Sequence, residues 1–150
     1  MGFDSETAFE SALIKCLVEE KGWKDGVIKY PTEKDLLDNW AKIIFENNRD
    51  IDRLGDFPMT DGEMAQIMGQ IAKLRTPLNL NGFINGGTVQ IIRDNENDTH
   101  NFKKTISLKI FDRNEIAAGR TRYQIAQQPK FKAKNSIYPN RRGDFCLLIN

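Results

Sequence analysis

Tyr138-Pro139-Asn140-Arg141-Arg142-Gly143-Asp144-Phe145-Cys146-Leu147-Leu148-Ile149 is the stretch on which the reading of this chain turns. The unbroken apolar run from Phe145 to Ile149 reads as a strand buried on both faces, the pattern of a central strand in a covered sheet. A carboxylate at the mouth of such a strand is held by the neighbouring backbones, and that rigidity suits a metal ligand. Mg²⁺ is held by one or two carboxylates of this kind together with substrate phosphates. Arg141 and Arg142, directly upstream, would draw in a DNA backbone. The same residues also read as a plain turn, Gly143-Asp144, with two solvated arginines. The pattern alone leaves both readings open.

Working outward, strands dominate the second half. Tyr123 and Ile125 alternate before Gln127-Gln128-Pro129, and Lys130, Lys132 and Lys134 alternate with Phe131 and Ala133. Ile106, Leu108 and Ile110 alternate with Ser107 and Lys109, a half-buried strand, and Thr88 to Arg93 is a further candidate. Asn81-Gly82 and Asn85-Gly86-Gly87 read as turns. The first half is helical. Residues 5–21 form an amphipathic helix, with Thr7 to Glu10 in capping-box form and Phe9, Leu13, Cys16 and Leu17 at helical spacing. Val27 to Tyr30 is a short strand candidate. Thr32 caps a helix that faces inward with Leu36, Leu37, Trp40, Ile43 and Ile44. Thr60 and Glu63 form a capping box before the stripe Met64, Ile67, Met68, Ile71 and Leu74, with Pro77 past its end. That stripe reads as core in preference to an adaptable methionine groove. Helices over 1–76 followed mainly by strands over 88–150 make an α+β (mixed α/β) fold.

Along the first helix, Glu6, Glu10, Leu13 and Leu17 share one edge, so Glu10 is aimed at the apolar side. It is the second candidate ligand, with a capping role for Thr7 as the alternative. His100 sits in a polar loop and reads as a surface residue. No phosphate-binding Gly-x-x-x-x-Gly-Lys-Ser/Thr is present, so this segment itself is not expected to bind ATP. With 22 basic and 21 acidic residues the net charge is +1, so nucleic-acid binding would need local clusters. No apolar run approaches the ~20 residues of a membrane helix. Cys16 and Cys146 read as buried free thiols of a cytoplasmic protein. The chain stops one residue after Ile149, at a buried-type strand, and is expected to be a fragment of a longer protein.

Several of these residues resemble the N-terminal nuclease region of the R (restriction) subunit of type I restriction enzymes, of the PD-(D/E)xK superfamily. The opening helix Ser5 to Ile14 followed by Gly22-Trp23 is similar to that family's first helix. Tyr123 to Gln128 looks like its strand ending in paired polar residues, and Arg141 to Asn150 looks like its Arg-rich turn, Asp and apolar strand. Residues 24–120 match only in general order of elements, and Gly143-Asp144 stands where much of the superfamily has Pro-Asp. The resemblance implies a restriction-endonuclease-like core with N-terminal helices and a central mixed sheet. It implies Asp144 and Glu10 as catalytic and Mg²⁺-binding residues, and Arg141, Arg142 and Gln128 as DNA contacts. The family's Glu-x-Lys would fall roughly 10 to 20 residues past Asp144, so the domain is expected to continue beyond residue 150. The implied parent is an ATP-dependent DNA-translocating endonuclease acting on double-stranded DNA, with methylation and specificity subunits as partners. The implied fragment is inactive alone. A non-catalytic docking or DNA-binding module of a larger translocating protein is the alternative.

Overall fold

The computed structural model describes residues 2, 5–23, 26–111, 114, 123–132, 140–142 and 145–149. The fold is α+β, and the chain divides into two compact units. The first comprises Met1–Leu36 and Thr121–Asn150, and the second Leu37–Arg120.

The first unit opens with α1 (Glu6–Glu20). Ser5, not Thr7, is its N-cap: the Ser5 hydroxyl accepts from the Ala8 N–H at 3.1 Å. Thr7 therefore lies inside the first turn, and Glu10 is released from the capping role. Strand β1 (Val27–Lys29) follows, and Thr32 then starts the next helix. Thr32 and Asp35 cap reciprocally, Asp35 N–H to the Thr32 hydroxyl at 3.2 Å and Thr32 N–H to the Asp35 carboxylate at 2.8 Å. The Thr32 N–H, together with the Thr32 hydroxyl that donates to the same carboxylate at 2.8 Å, holds the Asp35 carboxyl below its ordinary value.

Strands β4 (Tyr123–Gln127), β5 (Lys130–Lys132), β6 (Asn140–Arg142) and β7 (Phe145–Ile149) complete this unit. The sheet order is β1-β4-β7, with β1 parallel and β7 antiparallel to β4, while β5 and β6 form a separate antiparallel pair. The central strand is thus β4, and among the described residues β7 has β4 as its one neighbour. The central place expected for Phe145–Ile149 is taken by β4 among the described residues. Gln124, Ile125 and Ala126 are consecutive and all buried, the mark of a strand covered on both faces. β1 falls where Val27 to Tyr30 was read as a strand candidate, and its pairing with β4 adds what periodicity does not show. An early strand joins the late ones, with the whole second unit inserted between them.

The second unit carries most of α2 (Glu33–Asn47), then α3 (Asp61–Ile71), α4 (Pro77–Ile84), and the antiparallel hairpin β2 (Thr88–Ile92) and β3 (Thr105–Lys109). Its core joins Ile44, Leu54, Met64 and Ile67 to Val89, Ile91, Ile106, Leu108 and Ile110. The strand alternation decided this half of the core, since each buried residue is followed by an exposed one. Pro77 lies past the end of α3, as expected, and also opens α4 at its first turn, with Thr76 as N-cap. Asn81-Gly82 consequently lies within α4, and the turn is at Asn85 to Gly87. In the methionine stripe, Met64 is core but Met68 is exposed.

Candidate functional site

Glu10 is the one buried residue of α1, 7% exposed, on a helix whose Phe9 is 48% exposed. Its Oε2 accepts from the Gln128 Nε2 at 3.0 Å, a contact spanning 118 residues of sequence. Its Oε1 is buried and has no hydrogen-bond partner. Buried carboxylate oxygens normally have partners, because desolvation of an unpaired charged group costs several kcal/mol. The helix edge shared by Glu6, Glu10, Leu13 and Leu17 placed Glu10 correctly, although Glu6 itself is exposed and the leucines are half-buried.

The partner's position comes from a paired kink. β1 and β4 run parallel up to Lys29 opposite Gln127. The next residue of each strand, Tyr30 and Gln128, is left-handed, with φ of 53° and 46°. A non-glycine residue in that region costs about 1–2 kcal/mol. The two strands bend in step: Tyr30 N–H donates to the Gln127 carbonyl at 2.8 Å, and pairing resumes as Thr32 meets Lys130. The kink breaks the strand's alternation at Gln128, whose side chain reaches the Glu10 carboxylate. Gln128 was expected as a DNA contact; its amide nitrogen donates here to Glu10. No sequence signal marks this, since left-handed glutamine has no motif.

β7 pairs beside the kink, with Phe145 opposite Gln127. Asp144, the chain neighbour of Phe145, lies outside the described residues, and so does its placement relative to Glu10. Arg141 and Arg142 belong to β6 and pair with Phe131 and Lys130, with side chains outside the description. Cys16 is half-buried, its thiol 3.6 Å from a Glu20 oxygen, in place of the expected full burial. His100 is exposed as expected.

Glu10 supplies one hard oxygen donor, which fits a divalent cation that takes one or two protein carboxylates and completes its shell with water and phosphate. Among the described residues no group of three or more His, Cys, Asp or Glu side chains converges. No helix among them is long and apolar enough to cross a membrane.

The second unit holds a different charged cluster, which sequence reading missed. Arg93 is fully buried; its Nη1 donates to both Glu63 oxygens at 3.0 and 2.7 Å, and its Nε to Asp98 at 3.0 Å. The Phe57 and Pro58 carbonyls accept at 2.6 and 3.2 Å. Glu63 also completes the capping box with Thr60 and accepts from the Asp94 N–H at 2.9 Å. Burial raises the Asp98 carboxyl, but the Arg93 hydrogen bond and the Asn101 N–H outweigh it and hold it below its ordinary value of 3.8. Each donor and acceptor here is engaged, so the cluster ties the 94–104 loop to α3. The signal available was the capping box, which located Glu63 but not its partner thirty residues on.

Family models, curated proteins and solved structures all gave no significant match.

Proposed function

We propose that this chain is the N-terminal part of the R subunit of a type I restriction endonuclease, in which Glu10 and Asp144 share a site for metal-assisted hydrolysis of duplex DNA. The observation that carries the reading is the buried Glu10 carboxylate, one oxygen held by Gln128 and the other unpartnered. A fold keeps such a group at a cost to stability, and the usual return is function. Further support is positional. Gln128 follows the central strand, and β7, which pairs alongside, begins at the residue after Asp144. A mixed β1-β4-β7 sheet in one unit with α1 is compatible with the core that the resemblance implies.

In this reading Glu10 holds a water or an ion through Oε1, while Gln128 fixes the carboxylate's rotation through Oε2. Asp144 provides the second carboxylate, and Arg141 and Arg142 attract the DNA backbone. Mg²⁺, when bound, would neutralise phosphate charge and make a bound water acidic. The Glu-x-Lys pair would come from a strand beyond residue 150, the ATP-driven motor from later sequence, and methylation and sequence recognition from partner subunits in the cytoplasm.

The test is made in the parent protein with supercoiled plasmid, ATP and Mg²⁺. Asp144→Ala and Glu10→Gln should each abolish cleavage and leave ATP hydrolysis and translocation near normal. Retained cleavage, or loss of translocation together with cleavage, would overturn the assignment. The insertion of a separately cored unit, Leu37–Arg120, between β1 and β4 favours a second role for that part: docking, independent of the nuclease chemistry.

A further inference from the structure

The β2–β3 hairpin is covered along its edges by side-chain amides. In this register Val89, Ile91, Ile106 and Leu108 exchange the ladder bonds, so the N–H and C=O groups of Gln90, Ile92, Thr105, Ser107 and Lys109 point outward. On the β2 side the Gln66 carboxamide donates to the Ile92 carbonyl at 3.0 Å and accepts from the Ile92 N–H at 2.8 Å. Gln70 donates to the Gln90 carbonyl at 2.6 Å. On the β3 side the Asn48 carboxamide does the same for Lys109, at 2.9 and 2.8 Å. A carboxamide has the donor and acceptor of a peptide unit, so these residues stand in for neighbouring strands. Thr105 and Ser107 have no such cover. Among the described residues nothing pairs with their outward backbone groups, and both residues are exposed.

We infer that the Thr105–Ser107 edge of β3 is a docking site for an extended, acidic peptide segment, which adds as a strand. The two open positions lie ~7 Å apart, the repeat at which an added strand presents its own bonding residues. Charge selects the occupant. Lys103 and Lys104, both exposed, lie at the start of this edge, and residues 103–109 contain no acid. A second copy of β3 would bring these lysines against their own kind, which disfavours self-pairing. Glutamates on an incoming strand would meet them instead. The site lies wholly within the second unit and does not depend on the nuclease reading.

The test uses the whole 150-residue chain, ¹⁵N-labelled, and an acetylated, amidated octapeptide of alternating valine and glutamate. The Thr105 and Ser107 amides should shift and exchange more slowly. With nine-tenths of the chain bound the slowing is about tenfold, because exchange proceeds from the free tenth. Ser107→Pro removes an outward N–H without touching the ladder, so the hairpin survives while peptide affinity falls about tenfold. The pair Lys103→Glu and Lys104→Glu should weaken binding roughly threefold or more, an effect screened by salt. Equal protection by a valine–lysine octapeptide, unchanged affinity in Ser107→Pro, or protection by duplex DNA would each overturn the assignment. So would protection arising from dimerisation of the chain alone, seen by sedimentation.

Discussion

Replacing Arg93 with methionine removes a cation of similar bulk from between two buried carboxylates, and it is the most severe single change this structure offers. The Glu63 and Asp98 side chains are 0% and 3% exposed, and Arg93 is the cation in the ion pairs formed with both. The variant loses three charged bonds to those carboxylates and three bonds to the Leu54, Phe57 and Pro58 carbonyls. Swapping a complete buried ion cluster for apolar groups can be neutral, but removing one partner strands the others, at about 3–5 kcal/mol. Against the roughly 5–15 kcal/mol that holds a domain together, that is a large fraction. Urea denaturation followed by circular dichroism should show the midpoint of the second unit falling with its slope unchanged, since the surface exposed on unfolding is nearly the same. Glu63→Gln should cost less, about 1–2 kcal/mol, because the Thr60 cap and the Asp98 pair survive. A loss below about 1 kcal/mol in Arg93→Met would show that the carboxylates find water or protonate at little cost, and would refute the reasoning.

Asn48→Ala should destabilise the second unit by about 2–3 kcal/mol in the same assay, since one carboxamide serves Ile44, Lys109 twice and Arg53. Because the Asp98 carboxyl is depressed in the folded state, its contribution is full above the ordinary value of 3.8 and is lost as pH falls below it. Acid titration of unfolding should therefore show stability dropping there in the native chain and less steeply in Asp98→Asn. Gly87→Ala would place a Cβ 2.6 Å from the Phe83 carbonyl oxygen, so a loss of about 1–3 kcal/mol is expected, with strain at the α4–β2 turn. Glu10→Gln should leave thermal stability unchanged or raise it by about 1 kcal/mol, because the amide still accepts from Gln128 while the buried charge is gone. A marked drop in melting temperature would mean that the Glu10 charge is partnered after all.

The sequence by itself determined the local elements. Periodicity placed α1, α2 and α3, alternation placed β3 and its buried face, and a Thr-x-x-Glu pattern located the α3 cap, because those features depend on residues within a turn or two of each other. It also ranked Glu10 as core-facing, a consequence of helix geometry alone. Caps and turns with two local solutions were misjudged: Ser5 competed with Thr7 for one helix start, and Asn81-Gly82, a turn signal, lies inside α4. Only the tertiary structure decided that β4 is central, that β1 pairs with it across the inserted second unit, and that Gln128 reaches Glu10. Nor could the sequence show that Arg93 would be buried between Glu63 and Asp98. Such pairings are set by which strands and loops meet in space. The energy that selects them, burial of apolar surface with every buried polar group satisfied, belongs to the packed molecule and to no window of its chain.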